Sequence, residues 1–230
     1  MKVVFATPTR VKPCPAFIAA MEASVPVLDA AGIEHSLVAE TGCPYISHAR
    51  ATMTRKALDA GADCIVYLDD DMSWEPDALL KLLLVKDDVV AGTYRYRKDE
   101  EEYMGAIFTD AKGYPVVRAD GCMRADRVPA GFLKITRDGL RKFMRAWPEL
   151  LYGHADCYSV DLFNHGAHEG VWYGEDMSFS RRYRERCGDI WLVPDLTLTH
   201  HAHFDDTAYA GNFHLFMRRQ SGGDLHEATT

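Results

Sequence analysis

Three consecutive carboxylates, Asp69, Asp70 and Asp71, close the apolar run CIVYL, Cys64 to Leu68. Such a run is the kind of short, β-rich segment that fills the middle of a parallel sheet covered by helices on both faces. The carboxylates then fall at the carboxyl end of the strand, the edge at which open α/β sheets bind ligands. Residues two apart in extended chain face the same way, so the spacing predicts that Asp69 and Asp71 converge on one point. Two hard oxygen donors on one point suit Mg²⁺ or Mn²⁺, an ion commonly shared with a phosphate substrate. A solvated turn capping a helix that starts near Pro76 would use the same residues without any ligand.

Four other clusters carry chemistry. Thr7, Pro8, Thr9 and Arg10 follow a first apolar strand, Lys2 to Ala6, and are expected to form a polar loop facing the same crevice. Arg50 falls in the first turn of a helix opened by Ser47, where backbone N–H groups and a guanidinium together favour a diphosphate; a solvent-facing arginine is the competing expectation. Glu175 and Asp176 open a helix behind Gly174, and carboxylates in a first turn also favour the helix dipole. The run HHAH, His200 to His203, ends a late strand and reads either as metal ligands or as a polar turn.

The elements that must position these residues alternate over the first 93 residues: strand, helix Pro15 to Ala31 stopped by Gly32, strand Ile33 to Val38, the Ser47 helix ending at Gly61, strand Cys64 to Leu68, a helix over Glu75 to Leu83, and strand Asp88 to Thr93. That order predicts a doubly wound, mostly parallel α/β sheet of the nucleotide-binding kind. The alternation breaks at the charged stretch Tyr94 to Glu102. Turns follow at Gly113-Tyr114-Pro115 and Gly121, then an extended segment VPAGFLKI, Val128 to Ile135, with Gly131 where a ligand or backbone comes close. A helix over Thr136 to Met144, loops and short strands over Trp147 to Tyr173, a helix to about Cys187, and strands Ile190 to Val193 and Leu196 to Thr199 complete the reading. A single domain over residues 1–219 is expected, with a nucleotide-binding half (1–93), an acceptor-side half carrying a smaller mixed sheet (94–219), and a flexible tail (220–230).

A formal charge of −8, from 34 acidic and 26 basic side chains, argues against a large non-specific nucleic-acid surface and leaves room only for a local basic groove. Six cysteines, Cys14, Cys43, Cys64, Cys122, Cys157 and Cys187, contain no CxxC pair, which argues against a structural zinc module and for buried free thiols in a reducing cytoplasm. The apolar part of MKVVFATPTR is too short for a signal peptide, and no stretch nears the roughly 18 apolar residues of a membrane helix.

In order along nearly the whole chain, the ATPTR strand end, the Arg50 helix, Asp69-x-Asp71, VVAGTYRYR, PAGF, Gly174-Glu175-Asp176 and the late strand LTLTH resemble a GT-A fold glycosyltransferase of the small bacterial and phage, family 2-like type. The resemblance implies a metal-dependent transfer of sugar from a nucleotide-sugar donor, UDP-linked by preference, to a hydroxyl acceptor. It implies that Asp71 binds Mn²⁺ or Mg²⁺ directly, that Asp69 contacts ribose or a metal-bound water, and that His200 is the late metal ligand. Thr7, Pro8, Thr9, Arg10, Arg50 and Asp70 then belong to the donor site. The sequence departs from the family at Ala51, where asparagine is common, and at Ala202, where glycine is common; His201 and His203 stay open as alternative ligands. Asp176 is the candidate base and Glu175 positions the acceptor, with Glu175 or Asp161 the next candidate for the base, and the expected outcome is inversion. A sugar-phosphate nucleotidyltransferase and a non-catalytic carbohydrate- or partner-binding protein are the competing readings; the first is disfavoured because ATPTRVKPCP lacks a glycine-rich loop.

Overall fold

The structure is a computed structural model describing residues 1–154, 158–202 and 205–220. In chain order the elements are β1 (Lys2–Thr9), α1 (Pro15–Ala30), β2 (Glu34–Thr41), α2 (Ile46–Asp59), β3 (Cys64–Leu68), β4 (Met72–Trp74), α3 (Ala78–Leu84), β5 (Val89–Ala91), β6 (Ala106–Ile107), β7 (Met123–Arg127), β8 (Phe132–Thr136), α4 (Arg137–Ala146), the strand pairs β9 (Leu151–Tyr152) with β10 (Ser159–Val160) and β11 (Gly166–His168) with β12 (Val171–Tyr173), α5 (Glu175–Arg186), β13 (Ile190–Leu192), β14 (Thr197–His201), β15 (Ala208–Asn212) and α6 (Phe213–Gln220).

One sheet of eight strands, ordered β2-β1-β3-β8-β5-β13-β7-β6, carries the fold. β1 pairs parallel with β2 and β3, and β5 with β13, whereas β8 runs antiparallel to both β3 and β5, and β7 to both β13 and β6. All but β8 and β7 therefore share one direction. The sheet is mixed, with a strand from the later half of the chain inserted between β3 and β5. The carboxyl ends of β1, β3 and β5 and the amino end of β8 consequently meet on one edge.

Pleating explains the unbroken apolar runs of β1 and β3. Val3, Phe5, Cys64, Val66 and Leu68 pack with Phe17 and Met21 of α1 and Leu79 of α3, while Val4, Ala6, Ile65 and Tyr67 pack with Met53 and Ala57 of α2 on the other face. Both faces are dry, so no polar alternation survives. Local signals set the helix ends: the Cys14 sulfur accepts from the Phe17 N–H and Pro15 occupies the first turn of α1, the Thr136 hydroxyl accepts from the Gly139 N–H at 3.0 Å, and Gly32 and Gly61 follow α1 and α2 at φ +67° and +73°.

Several expectations change. Thr7, Pro8 and Thr9 continue β1, paired with β2, so the polar loop begins only at Arg10. α2 starts at Ile46 rather than Ser47. β4, β15 and α6 are elements that sequence periodicity did not indicate. The small sheet, β15-β14-β4, is antiparallel rather than mixed, and it recruits β4 from the first half. His200 and His201 lie inside β14, not in a turn after it; His203 is outside the described residues. The five described cysteines are free, but only Cys64 and Cys122 are buried; Cys157 is outside the described residues. Among the described residues no helix is long and apolar enough to cross a membrane.

Candidate active site

The acidic triplet is a turn rather than extended chain. The Met72 N–H donates to the Asp69 carbonyl at 3.2 Å, and the chain leaves directly into β4. The two-residue spacing therefore does not align the carboxylates, and they go to different partners. Asp69 Oδ1 accepts from Arg50 Nη2 at 3.0 Å, and its Oδ2 from the Tyr94 hydroxyl at 3.5 Å. Asp71, only 7% exposed, pairs through Oδ2 with Arg97, and the same oxygen lies 3.6 Å from His200 Nε2. Asp70 sits between them, its carbonyl accepting from the Cys14 N–H at 2.8 Å.

Pairing of β14 with β4 brings His200 to Asp71: Leu198 stands opposite Trp74, Thr199 opposite Ser73 and His200 opposite Met72. His200 Nδ1 lies 2.9 Å from the Arg95 carbonyl, which can only accept, so Nδ1 carries the proton and Nε2 presents its lone pair toward Asp71. Burial also lowers the His200 pKa, favouring the neutral ring. An imidazole fixed by one backbone carbonyl with its other nitrogen available is the usual arrangement of a metal ligand. His201 faces the other way, its Nε2 2.7 Å from Ser73 Oγ.

Asp71 and His200 thus supply one oxygen and one nitrogen donor facing each other, a set that fits Mn²⁺ and, less well, Mg²⁺. Asp69 is turned away onto Arg50, and among the described residues no three metal-binding side chains are gathered at one point. Arg97 places a guanidinium against Asp71. Sequence reading did not single out Arg97 or Tyr94; the alternation TyrArgTyrArg directly after strand β5 was the available signal.

The second carboxylate cluster meets the first through Arg50, which is 1% exposed. Its Nη1 lies 3.2 Å from Asp176 Oδ1 and 3.5 Å from Glu175 Oε1, and its guanidinium stacks over the Phe163 ring at 4.9 Å. Neither the solvent-facing arginine nor a side chain open to a diphosphate is what the fold presents. Asp176 is no helix cap either: α5 has no side-chain cap, and Asp176 Oδ2 accepts from the Ala130 N–H at 3.0 Å. The Ser180 hydroxyl accepts from the Val128 N–H at 3.2 Å, so α5 is fastened to the segment leading to Gly131. A Cβ on Gly131 would stand 2.2 Å from the Tyr94 hydroxyl and 2.6 Å from Asp69 Oδ2, which explains the glycine. Burial, against the opposing pull of Arg50, pushes the Asp176 carboxyl up to about 6.

Two cavities border the carboxylates that Arg50 holds. The larger, about 690 Å³, is lined by Pro8, Thr9, Arg10, Glu40, Ile46 and Asp69 to Asp71 among others, a size in the usual range for small-molecule sites. Thr7 is buried inside the sheet and Arg50 behind the carboxylates, so neither lines it. The Thr9 hydroxyl is buried without a hydrogen-bond partner, and the exposed Arg10 has no side-chain partner among the described residues. The smaller cavity, about 240 Å³, lies at Glu175 and Asp176 and is walled by Tyr96, Met104, Pro129 and Met177. Asp161 belongs to neither and binds Asn164 instead, at 2.8 Å.

No protein-family model and no curated protein matches the chain. Among solved structures, GalNAc-T7 with UDP, GalNAc and Mn²⁺ aligns at TM-score 0.51 and 11% identity, over 89% of this chain and 44% of that one. TarS of S. aureus aligns at TM-score 0.48 and 12% identity over 100% and 67%, and a Drosophila β1,4-galactosyltransferase 7 with manganese, UDP-Gal and xylobiose at 0.46 and 11% over 99% and 82%. At such identities the likeness is one of fold, and the chain spans under half the length of GalNAc-T7. Together with the mixed sheet and its one-sided carboxylate edge, the likeness to GalNAc-T7 gives the chain the GT-A fold.

Proposed function

We propose that this protein is a metal-dependent glycosyltransferase moving a sugar from a nucleotide-sugar donor, UDP-linked by preference, to a hydroxyl acceptor, with inversion. The observation that carries this reading is the pair of cavities, one edged by Asp69 to Asp71 and the other by Glu175 and Asp176, with Asp69 of the first and both carboxylates of the second paired to the buried Arg50. The presence of UDP and Mn²⁺ in GalNAc-T7 supports the donor and ion assigned here.

In this reading the larger cavity holds the nucleoside diphosphate. Pro8 packs there, the Thr9 hydroxyl offers a hydrogen bond, and Arg10 adds positive charge. Asp71 and His200 Nε2 are the residues that would hold Mn²⁺ or Mg²⁺, with Asp69 and Asp70 beside them. The ion supplies Lewis-acid stabilisation of the leaving diphosphate. The acceptor enters the smaller cavity, where Glu175 positions it. Asp176 removes the hydroxyl proton as the acceptor oxygen bonds to the anomeric carbon and the bond from that carbon to the diphosphate breaks. A base whose pKa stands near 6 is matched to work close to neutrality. Free thiols at all five described cysteines fit a reducing cytoplasm.

Calorimetric titration of UDP with Mn²⁺ and with EDTA tests the donor site. UDP binds at least tenfold tighter with Mn²⁺, and Asp71→Ala removes the difference. Equal affinity with and without metal overturns metal dependence, and no Mn²⁺-stimulated release of UDP from any UDP-sugar overturns the donor.

A further inference from the structure

Resting on that reading of the two cavities, we propose that Arg50 is a positioning residue whose single guanidinium fixes the donor-side carboxylate Asp69 and the acceptor-side carboxylates Asp176 and Glu175 relative to one another. Its Nη2 serves Asp69 at 3.0 Å, while Nη1 faces Asp176 at 3.2 Å and Glu175 at 3.5 Å. The side chain is 1% exposed and lines neither cavity, so it reaches substrate only through these carboxylates. Phe163, itself fully buried, closes one face of the guanidinium, and the Arg50 carbonyl accepts from the Thr54 hydroxyl. Phe163 packs in turn on Tyr67 of β3 at 5.2 Å, so the arginine is held by the central strand as well as by α2. The carboxylates outnumber the cation, and without it they repel across a half-buried site. Only a planar guanidinium spans partners on two sides; a lysine ammonium is a point charge and holds one side or the other.

The test uses Arg50→Lys and Arg50→Met in the full chain, with Asp69→Asn made in each background and in the wild type. Transfer kinetics, UDP affinity with Mn²⁺ and melting temperature are measured on all of them. Arg50→Lys is expected to lower kcat by about 10²-fold, the scale of a misplacement near 1 Å, while UDP affinity stays within about threefold. Asp69→Asn is expected to lower the melting temperature of the wild type and to raise it in Arg50→Met, because the lost partner becomes a relieved repulsion. Should Arg50→Met not fold, the reversal is read in Arg50→Gln, which also removes the charge. A tenfold loss of UDP affinity makes Arg50 a donor ligand and overturns the proposal. Unchanged kcat in folded Arg50→Lys overturns it as well, leaving a packing role. If the wild type transfers no sugar, the functional reading fails by itself, and the melting-temperature reversal alone decides whether Arg50 links the two sides: its absence overturns the link.

Discussion

Replacing Asp176 by asparagine separates the chemistry of this carboxylate from its structural role, and the structure gives both magnitudes. Asp176 uses its two oxygens against two donors, Arg50 Nη1 at 3.2 Å and the Ala130 N–H at 3.0 Å. Asparagine has one acceptor oxygen, so its NH₂ must face either a buried guanidinium or a buried backbone N–H. Leaving one such donor unsatisfied costs about 1–3 kcal/mol, partly offset by relief of repulsion from Glu175 and Asp69. For a chain of this size that range, before the offset, corresponds to a fall of roughly 2–12 °C in melting temperature. A residue that only capped α5 would cost less, about 1 kcal/mol or below. The catalytic loss is of another order: asparagine cannot accept a proton, and removing general-base assistance lowers kcat by about 10²- to 10⁴-fold. Wild-type kcat should climb as pH rises through about 6, where the carboxyl loses its proton, and should be flat in Asp176→Asn over the same interval. Stability carries the opposite sign. Because the folded carboxyl holds its proton more tightly than the unfolded one, this group's contribution declines from about pH 4 to 6 and is constant above. The assay is transfer rate against pH beside UDP affinity and thermal melting, with Glu175→Gln, expected to lose less than tenfold, as the neighbour. A folded Asp176→Asn that transfers sugar within threefold of wild type, or a wild-type rate that ignores pH between 5 and 8, refutes the assignment.

Gly131→Ala should lower the melting temperature, since its Cβ would overlap the Tyr94 hydroxyl and the Asp69 carboxylate; overpacking of this kind costs about 1–3 kcal/mol, and an unchanged melting curve counts against the contact. His200→Ala should weaken Mn²⁺ binding by at least tenfold in titrations without nucleotide, while His201→Ala, whose ring faces Ser73, should change it less than threefold; the reverse ranking moves the ligand. The ion-dependent gain in UDP affinity should vanish in Asp71→Ala and persist in Asp70→Asn, because only Asp71 faces His200.

Local signals were enough for most of the elements. CIVYL is read as a strand because five consecutive residues are buried on alternating faces, and α1, α2 and α4 because caps, prolines and glycines stop the chain where the hydrogen-bond ladder must end. The position of the acidic triplet at a sheet edge follows from the same run, and Glu175 and Asp176 stand where the helix start placed them. The partners of these residues are another matter. Arg50 sits between Ala49 and Ala51 in a helix whose apolar stripe is ordinary, and nothing nearby in sequence says that it is buried; its burial is decided by Asp176, 126 positions away, and by Phe163. Asp69 and Asp71 part company because β4 begins at Met72 and bends the chain into a turn, a strand too short to show periodicity. Alternation puts His200 and His201 on opposite faces of β14, but only the pairing of His200 with Met72 on β4 decides which face meets Asp71. A sequence can declare which groups are charged and where the backbone turns, since those depend on neighbours in the chain; which charges share a dry space depends on strand order and register, which only the folded chain sets.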